Sequence, residues 1–216
     1  MRPSYDMRPC ELGVVRDLCE AHHGYRSCGR VAVCAWAVYE DGRPVAAYAW
    51  QPPPPGAARS VCPECPWGVL ALSRMVAVDR ADRALRHVSR PLRRQMRTLI
   101  DRGRWPVLVT YSDIGQGHTG HVYKCSGWQK TTIRKAGTLT DSAGARVSAY
   151  SGGTMRDTDG LKRGVTHIQR WEHWACERGR ALDHATAHGW GRIPTGKVWK
   201  SGNPAFRIER ISVSVP

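Results

Sequence analysis

The chain has 216 residues, 41% hydrophobic and 24% charged, enough apolar material for a packed core and too much for wholesale disorder. Its formal charge is +15 and its pI is near 10.0, which points to a polyanionic partner. The longest apolar run, Val31 to Tyr39, falls well short of the roughly 18 residues of a membrane span, so a membrane partner is excluded.

The charge is uneven. Residues 1–79 are net neutral, residues 80–135 carry +10 and residues 136–216 carry +5. Of the basic side chains, 27 are Arg and 6 are Lys. Arg suits bidentate phosphate contact, and a GC-rich genome also favours it. The first residues, Met1 to Asp6, show no signal-peptide pattern, so the 8 cysteines are expected to be reduced thiols in a cytoplasm.

Taken in chain order, residues 10–22 read as a helix with Leu12, Val15, Leu18 and Cys19 on one face and Gly24 beyond its end. Val31 to Tyr39 and Pro44 to Trp50 read as strands of a hairpin that turns at Asp41-Gly42. Gln51 to Gly56 is a proline-rich loop leading to Cys62-x-x-Cys65. A third strand is expected over Val69 to Val78, and a helix over Ser89 to Arg102. Leu92, Met96, Leu99 and Ile100 give that helix an apolar face, and Arg90, Arg93, Arg94 and Arg97 cover the rest. Pro106 to Tyr111 is a short buried strand, His118 to Cys125 a short helix, and 128–134 and 146–151 are further strands. A Trp-rich helix is expected over Val165 to Arg178, then an irregular basic tail. The fold class is α+β (α/β), with a catalytic domain over 1–154 and a basic, Trp-rich extension over 155–216.

The most informative segment is Tyr111 to Trp128. A buried strand ends in Ser112-Asp113, and ligands of open α/β sheets gather at such ends. Gly115, Gly117 and Gly120 would let backbone approach a ligand closely. Asp113 is either a helix N-cap or a functional carboxylate, and Tyr123 either a core aromatic or a functional hydroxyl. Cys62 and Cys65 are half of a zinc site. His118 and His121 could face one ion from a short helix.

Ala21-His22-His23, Leu72-Ser73-Arg74, Ser89-Arg90-x-Leu92-Arg93, Tyr111-Ser112-Asp113 and Gly117-His118-x-Gly120-x-Val122-Tyr123 resemble the Mom family of bacteriophage DNA-modification proteins. The element order resembles the GNAT acyltransferase fold, a central, mixed, mostly antiparallel sheet flanked by helices. The resemblance covers roughly residues 12–135. It implies an enzyme that converts DNA adenine to N6-carbamoylmethyladenine in the host cytoplasm and so protects phage DNA from restriction. Double-stranded DNA would be its partner, and a host-derived molecule would donate the group. It also implies an association with iron.

Under this resemblance Asp113 would take a proton from N6 or bind the amine, and Tyr123 would protonate the leaving group. Ser73 would bind the donor or orient adenine. His22 and His23 would serve as base or, with Asp113, as iron ligands. Adenine must leave the base stack, and Tyr25 and Trp67 are candidates to stack on it. The glycine-rich acyl-CoA loop of GNAT enzymes is absent from Val78 to Ser89. If acetyl-CoA or another acyl donor binds there, Arg74, Arg80, Arg83, Arg86 and Ser89 would hold it. DNA phosphates are expected on Arg192, Lys197 and Lys200 beside Trp199, or on the helix face of Arg90 and Arg94. Two rivals remain open: an ordinary GNAT N-acetyltransferase using acetyl-CoA on a small amine or protein, and a non-enzymatic zinc-containing DNA-binding protein.

Overall fold

The computed structural model describes residues 5–23, 28–29, 31–78, 88–144, 146–147, 150–151, 154–155, 157–198 and 204–210. The first expected helix is α1 (Leu12–His22), with Val15, Leu18 and Cys19 buried at the i, i+3, i+4 spacing of one helical face. A strand not expected from the sequence precedes it, β1 (Tyr5–Pro9). The hairpin is β2 (Cys34–Glu40) and β3 (Arg43–Gln51). It turns at Asp41, φ 50°, and Gly42, φ 79°, the two positive-φ positions that a two-residue turn of this hand requires. β2 starts later than expected, and Val31 and Val33 are exposed before it. The proline-rich loop ends in a short helix, α2 (Pro55–Val61), with proline tolerated in its first turn.

β4 (Val69–Ala77), α3 (Arg90–Asp101) and β5 (Val107–Asp113) lie where the pattern placed them. α4 (His121–Ser126) begins after His118, so His118 and His121 do not share a helix. β6 (Gln129–Thr140) runs further than expected, and β7 (Arg146–Val147), β8 (Tyr150–Ser151) and β9 (Thr154–Met155) are short.

The expected helix over Val165 to Arg178 is instead strand β10 (Lys162–Trp174). It pairs antiparallel with β6 from Lys162 opposite Thr140 to Glu172 opposite Gln129. The spacing of Trp171 and Trp174 imitates a helical stripe. The β-branched and aromatic content, and a partner strand of matching length, decide the outcome. After α5 (Ala181–Ala187), the tail expected to be irregular contains an antiparallel ribbon of β11 (Trp190–Val198) and β12 (Pro204–Arg210).

The main sheet has eight strands in the order β1-β2-β3-β4-β5-β10-β6-β7, mostly antiparallel and flanked by helices. Contacts cluster in two units. One holds the residues up to Gln51, Ala71–Arg94 and Val109–His173; the other holds Pro52–Leu70, Gln95–Leu108 and the residues from Trp174 on.

In the first unit α1 packs through Val15, Leu18 and Cys19 on Ala35, Ala37, Ala47, Ala49 and Val76. The alanines alternate along β2 and β3 and pair across them, Ala35 with Ala49 and Ala37 with Ala47. A face of methyl groups lets the helix approach the sheet closely. On the opposite face, Tyr48 is fully buried and donates its hydroxyl to Val88 O at 2.9 Å.

Ala47→Leu adds three carbons where α1 meets the sheet. It should cost about 1–3 kcal/mol of stability, read as a lower urea midpoint with an unchanged slope.

Candidate active site

β5 ends in Ser112 and Asp113, whose side chains leave on opposite faces of the sheet. Asp113 is only 7% exposed. Thr166 of β10 donates Oγ1 to Asp113 Oδ1 at 2.5 Å. Arg146 of β7 ion-pairs with Oδ2. A buried carboxylate without partners would be strongly unfavourable, and here both oxygens are engaged. Asp113 is followed by a single 3-10 turn, Ile114–Gln116, and makes no side-chain cap bond to it, so the N-cap reading fails. On the other face Trp171 Nε1 donates to Ser112 Oγ at 2.9 Å.

The loop glycines were expected to admit a ligand. A Cβ at Gly115 would overlap Thr166 Oγ1, and one at Gly120, where φ is +70°, would overlap the Trp171 ring. The space these two glycines leave is therefore taken by β10. At Gly117, φ +75°, nothing lies within 4 Å of a Cβ, and only backbone conformation requires glycine there.

Tyr123, on α4, is buried among aromatic rings. Trp128 meets it edge-on at 6.0 Å and Trp171 at 5.8 Å, and Trp128 stacks on Trp50 at 6.3 Å. The Tyr123 hydroxyl is in hydrogen-bond contact with Thr110, whose own hydroxyl donates to Leu72 O at 3.2 Å. It thus reaches the boundary between β4 and β5. Burial pushes its pKa up, so the phenol is a protonated donor at neutral pH.

Ser73 occupies a bulge. The β3–β4 register passes from Ala49–Arg74 to Trp50–Leu72 and skips it. Its hydroxyl donates to Ala49 O at 3.0 Å, filling a ladder position that the bulge opens. Arg74 donates to Ser73 O at 2.7 Å.

His23 follows α1, and its N–H donates to Cys19 O at 3.0 Å. Burial first, then the Arg74 and His118 charges, pull the imidazole pKa down to about 4. His118, whose charge is one of those that lower His23, donates its backbone N–H to Asp113 O at 3.2 Å. Nearby, Cys28 is pulled down to about 7, first by the hydrogen bond from Cys19 and then by Arg74 and Arg16, while Cys19 is held protonated. The sequence reading missed Arg146, Thr166, Trp128 and this thiol pair. Only the β10 register could have pointed to Thr166.

The residues named for iron do not fit a metal. Asp113 is held by Arg146 and Thr166, His23 lies beside Arg74, and His22 is exposed. Among the described residues no three His, Cys, Asp or Glu side chains converge on one point. Cys62 and Cys65 are fully buried, and both thiols are pushed up to about 12, chiefly by burial. That suits inert core thiols better than zinc thiolates.

Of the residues named for an acyl donor, Arg80, Arg83 and Arg86 lie outside the described residues, as does Tyr25. Ser89 fits a ligand-binding role: its Oγ is buried and has no partner among the described residues. Trp128 Nε1 is in the same condition. Ser126 Oγ connects their surroundings, contacting Ser89 O at 3.1 Å and Val122 O at 2.7 Å. Of the DNA candidates, Arg90 and Arg94 are exposed on α3. Arg192 lies over the Phe206 ring at 3.9 Å, Lys197 falls in β11, and Trp199 and Lys200 lie outside the described residues. Trp67 is half-buried in the 3-10 turn Pro66–Gly68. No helix among the described residues is long and apolar enough to cross a membrane.

A family model described as the Mom protein family matches residues 5–181. No curated protein matches the chain in sequence. Among solved structures, one described as a "putative phosphinothricin N-acetyltransferase" is 8% identical, with 81% of this chain and 100% of that chain covered and a TM-score of 0.50. The ribosomal-protein-S18-alanine N-acetyltransferase from Escherichia coli is 11% identical over 82% of this chain and 97% of that one, with a TM-score of 0.49. The sheet and its flanking helices have the GNAT acyltransferase fold.

Gly120→Ala should destabilise the protein by about 2–5 kcal/mol, from positive φ and overlap with Trp171, and a fall in Trp fluorescence transition temperature reads it. His23 titrates lower in the folded chain than in the unfolded one, so acid favours unfolding. Its contribution is complete above pH 6.5 and is lost as pH falls toward 4. His23→Gln should therefore remove about 1–3 kcal/mol of the stability lost between neutral pH and pH 4, measured by urea unfolding at a series of pH values.

Proposed function

Because the chain belongs to the Mom protein family, we propose that it is a transferase that modifies adenine N6 in phage DNA, with N6-carbamoylmethyladenine as product and the infected host's cytoplasm as its place of action. The observation that carries this reading is the family match over residues 5–181, which includes every residue around Asp113. The GNAT fold supports group transfer to an amine and does not choose the amine.

Adenine N6 is a weak nucleophile inside the base stack, and extruding the base costs about a few kcal/mol. Asp113 suits the amine. A carboxylate has about four acceptor positions, and Thr166 and Arg146 engage one on each oxygen. An N6–H can take a remaining one, which would fix the amine and turn its lone pair toward the donor. When the new N–C bond forms, N6 must lose a proton. His23 is neutral at physiological pH and feels the charge of His118, in the loop after Asp113, so it can accept that proton directly or through water. Tyr123 remains protonated at neutral pH and can give its proton to the departing group. Ser73 is a positioning residue in this scheme, because its hydroxyl is committed to Ala49 O. An acyl-CoA thioester, if bound, would place a carbonyl carbon on N6 and release the thiol, giving an amide. N6-carbamoylmethyladenine carries a CH2 on nitrogen and so calls for a donor with an electrophilic CH2 bearing a leaving group. Ser89 Oγ would be among the groups that hold either donor.

Nucleoside mass spectrometry of DNA from bacteria expressing the chain tests the reading. Wild type should yield a deoxyadenosine derivative heavier by a carbamoylmethyl group. Asp113→Asn, which keeps the shape, should lower it by about 100-fold or more, and Tyr123→Phe by about 10–100-fold, with both variants folded. Unmodified DNA together with acetyl transfer to a small amine or protein would replace this reading with the ordinary acetyltransferase. Stoichiometric zinc with no change in DNA would replace it with the DNA-binding protein.

A further inference from the structure

We infer that the ribbon of paired strands β6 and β10, which continues past the end of β5 and is joined there by the short β7, is the surface that grips the phosphate backbone of duplex DNA on either side of the Asp113 site. The inference rests on the DNA-modification reading for its partner and on the geometry of the ribbon for its place. It assigns the phosphate contacts to neither α3 nor the C-terminal ribbon.

The register shows how the ribbon projects. Thr166 meets Asp113, the last residue of β5. β10 starts four residues earlier, and Lys162, Arg163, Gly164 and Val165 pair with Thr140, Leu139, Thr138 and Gly137 of β6. All four of these β10 residues are exposed. Val165 is 70% exposed and Ile133, further along β6, is 54% exposed, so the described residues do not cover this ribbon. β6 has 12 residues, about 40 Å of extended chain, comparable to the roughly 34 Å of one DNA turn.

Its charge is one-sided. β6 carries Lys130, Arg134 and Lys135, and β10 carries Lys162, Arg163 and Arg170. Glu172 is the one acid of these two strands, and Arg170 pairs with it at 2.8 Å. The other five cations have no carboxylate partner among the described residues. Both faces share them. Arg134 is on the face of Asp113 and lies over the Tyr111 ring at 5.3 Å. Cross-strand partners share a face, so Lys162, four pairs beyond Thr166, is on that face too, and Lys135 and Arg163 are on the other.

The C-terminal ribbon differs. Arg192 lies over Phe206, Arg207 pairs with Glu209 at 2.8 Å, and Arg210 lies over the Trp190 ring at 4.9 Å. Those guanidinium groups are used within their own unit. On the β6–β10 pair Arg170 and Arg134 are likewise engaged, but Lys130, Lys135 and Lys162 have no ion-pair or ring partner among the described residues and Arg163 contacts only the Thr158 hydroxyl, at 3.4 Å.

The test is binding of the full chain to a short fluorescent DNA duplex, by anisotropy, over a series of salt concentrations. K130Q/K135Q/K162Q/R163Q should bind about tenfold or more weakly, and its log K against log salt should be shallower by about two to four. R43Q/R59Q removes two exposed cations elsewhere and is compared with K162Q/R163Q; it should keep nearly wild-type affinity, and the ribbon pair should not. Circular dichroism and urea midpoints confirm that each variant is folded. An unchanged salt slope in the quadruple variant overturns the inference. So does equal loss in the two double variants, or wild-type protein that binds no DNA and instead self-associates through this ribbon. Adduct analysis of the same proteins separates the two readings. Modified DNA with no ribbon effect removes the surface and keeps the activity. Ribbon-dependent binding with no adduct keeps the surface and removes the activity.

Discussion

The carboxylate of Asp113 is the constraint on which the site depends. It is buried at the end of β5, and its charge requires a cation and a hydrogen-bond donor. Arg146 supplies the first and Thr166 the second. That requirement ties β5, β10 and β7 together at one point. It also explains the glycines of the following loop. A side chain at 115 would displace Thr166, and one at 120 would displace Trp171, which is itself bonded to Ser112. The glycines thus serve the internal joint that fixes the carboxylate, and only through it the substrate.

Local features were legible in the sequence, and long-range ones were not. The α1 stripe, the Asp41-Gly42 turn and α3 are written within a dozen residues each. Asp113 and Tyr123 stood out because a strand end and a short helix are also local signals. Arg146 and Thr166 lie 33 and 53 residues from Asp113, and no spacing rule links them. The one large error, a helix in place of β10, had a specific cause. Trp171 and Trp174 fit a helical face. The competing evidence for a strand was a partner, β6, that sequence reading had ended too early. Reading β6 through Thr140 would have left its backbone groups needing a second long strand. The bulge at Ser73 was hidden for a related reason: it is a property of two strands, and β4 alone does not show it.

The protonation states around the site form a consistent set. Tyr123 is held protonated by burial, and His23 is held neutral by burial and by Arg74. The one buried carboxylate at the strand end is compensated by Arg146. Tyr123 packs with Trp171 on the Ser112 side of β5 and Asp113 points to the other side, so the phenol and the carboxylate flank the strand end from opposite faces. Arg74 is the common element. It bonds the backbone of the bulge at Ser73, lowers His23 and favours the thiolate of Cys28. Its removal would change the bulge, the base and the thiol pair together, so a single activity loss at Arg74 could not be assigned to any one of them.

The same accounting of polar groups bears on where a group donor would lie. The segment that leads into α3 lacks the glycines through which GNAT enzymes bring backbone amides to a pyrophosphate. Side chains must then do more of the holding. Among the described residues two buried donors in the first unit have no partner, Ser89 Oγ just before α3 and Trp128 Nε1 just after α4, and Ser126 Oγ contacts the Ser89 and Val122 carbonyls. An unsatisfied buried donor costs about 1–3 kcal/mol. Gln169 Oε1 of the same unit is likewise buried without a partner among the described residues, whereas the Ser73 hydroxyl fills its own bulge. An acceptor-bearing ligand beside Ser89 and Trp128 would satisfy both donors, and Trp128 itself meets Tyr123 and Trp50.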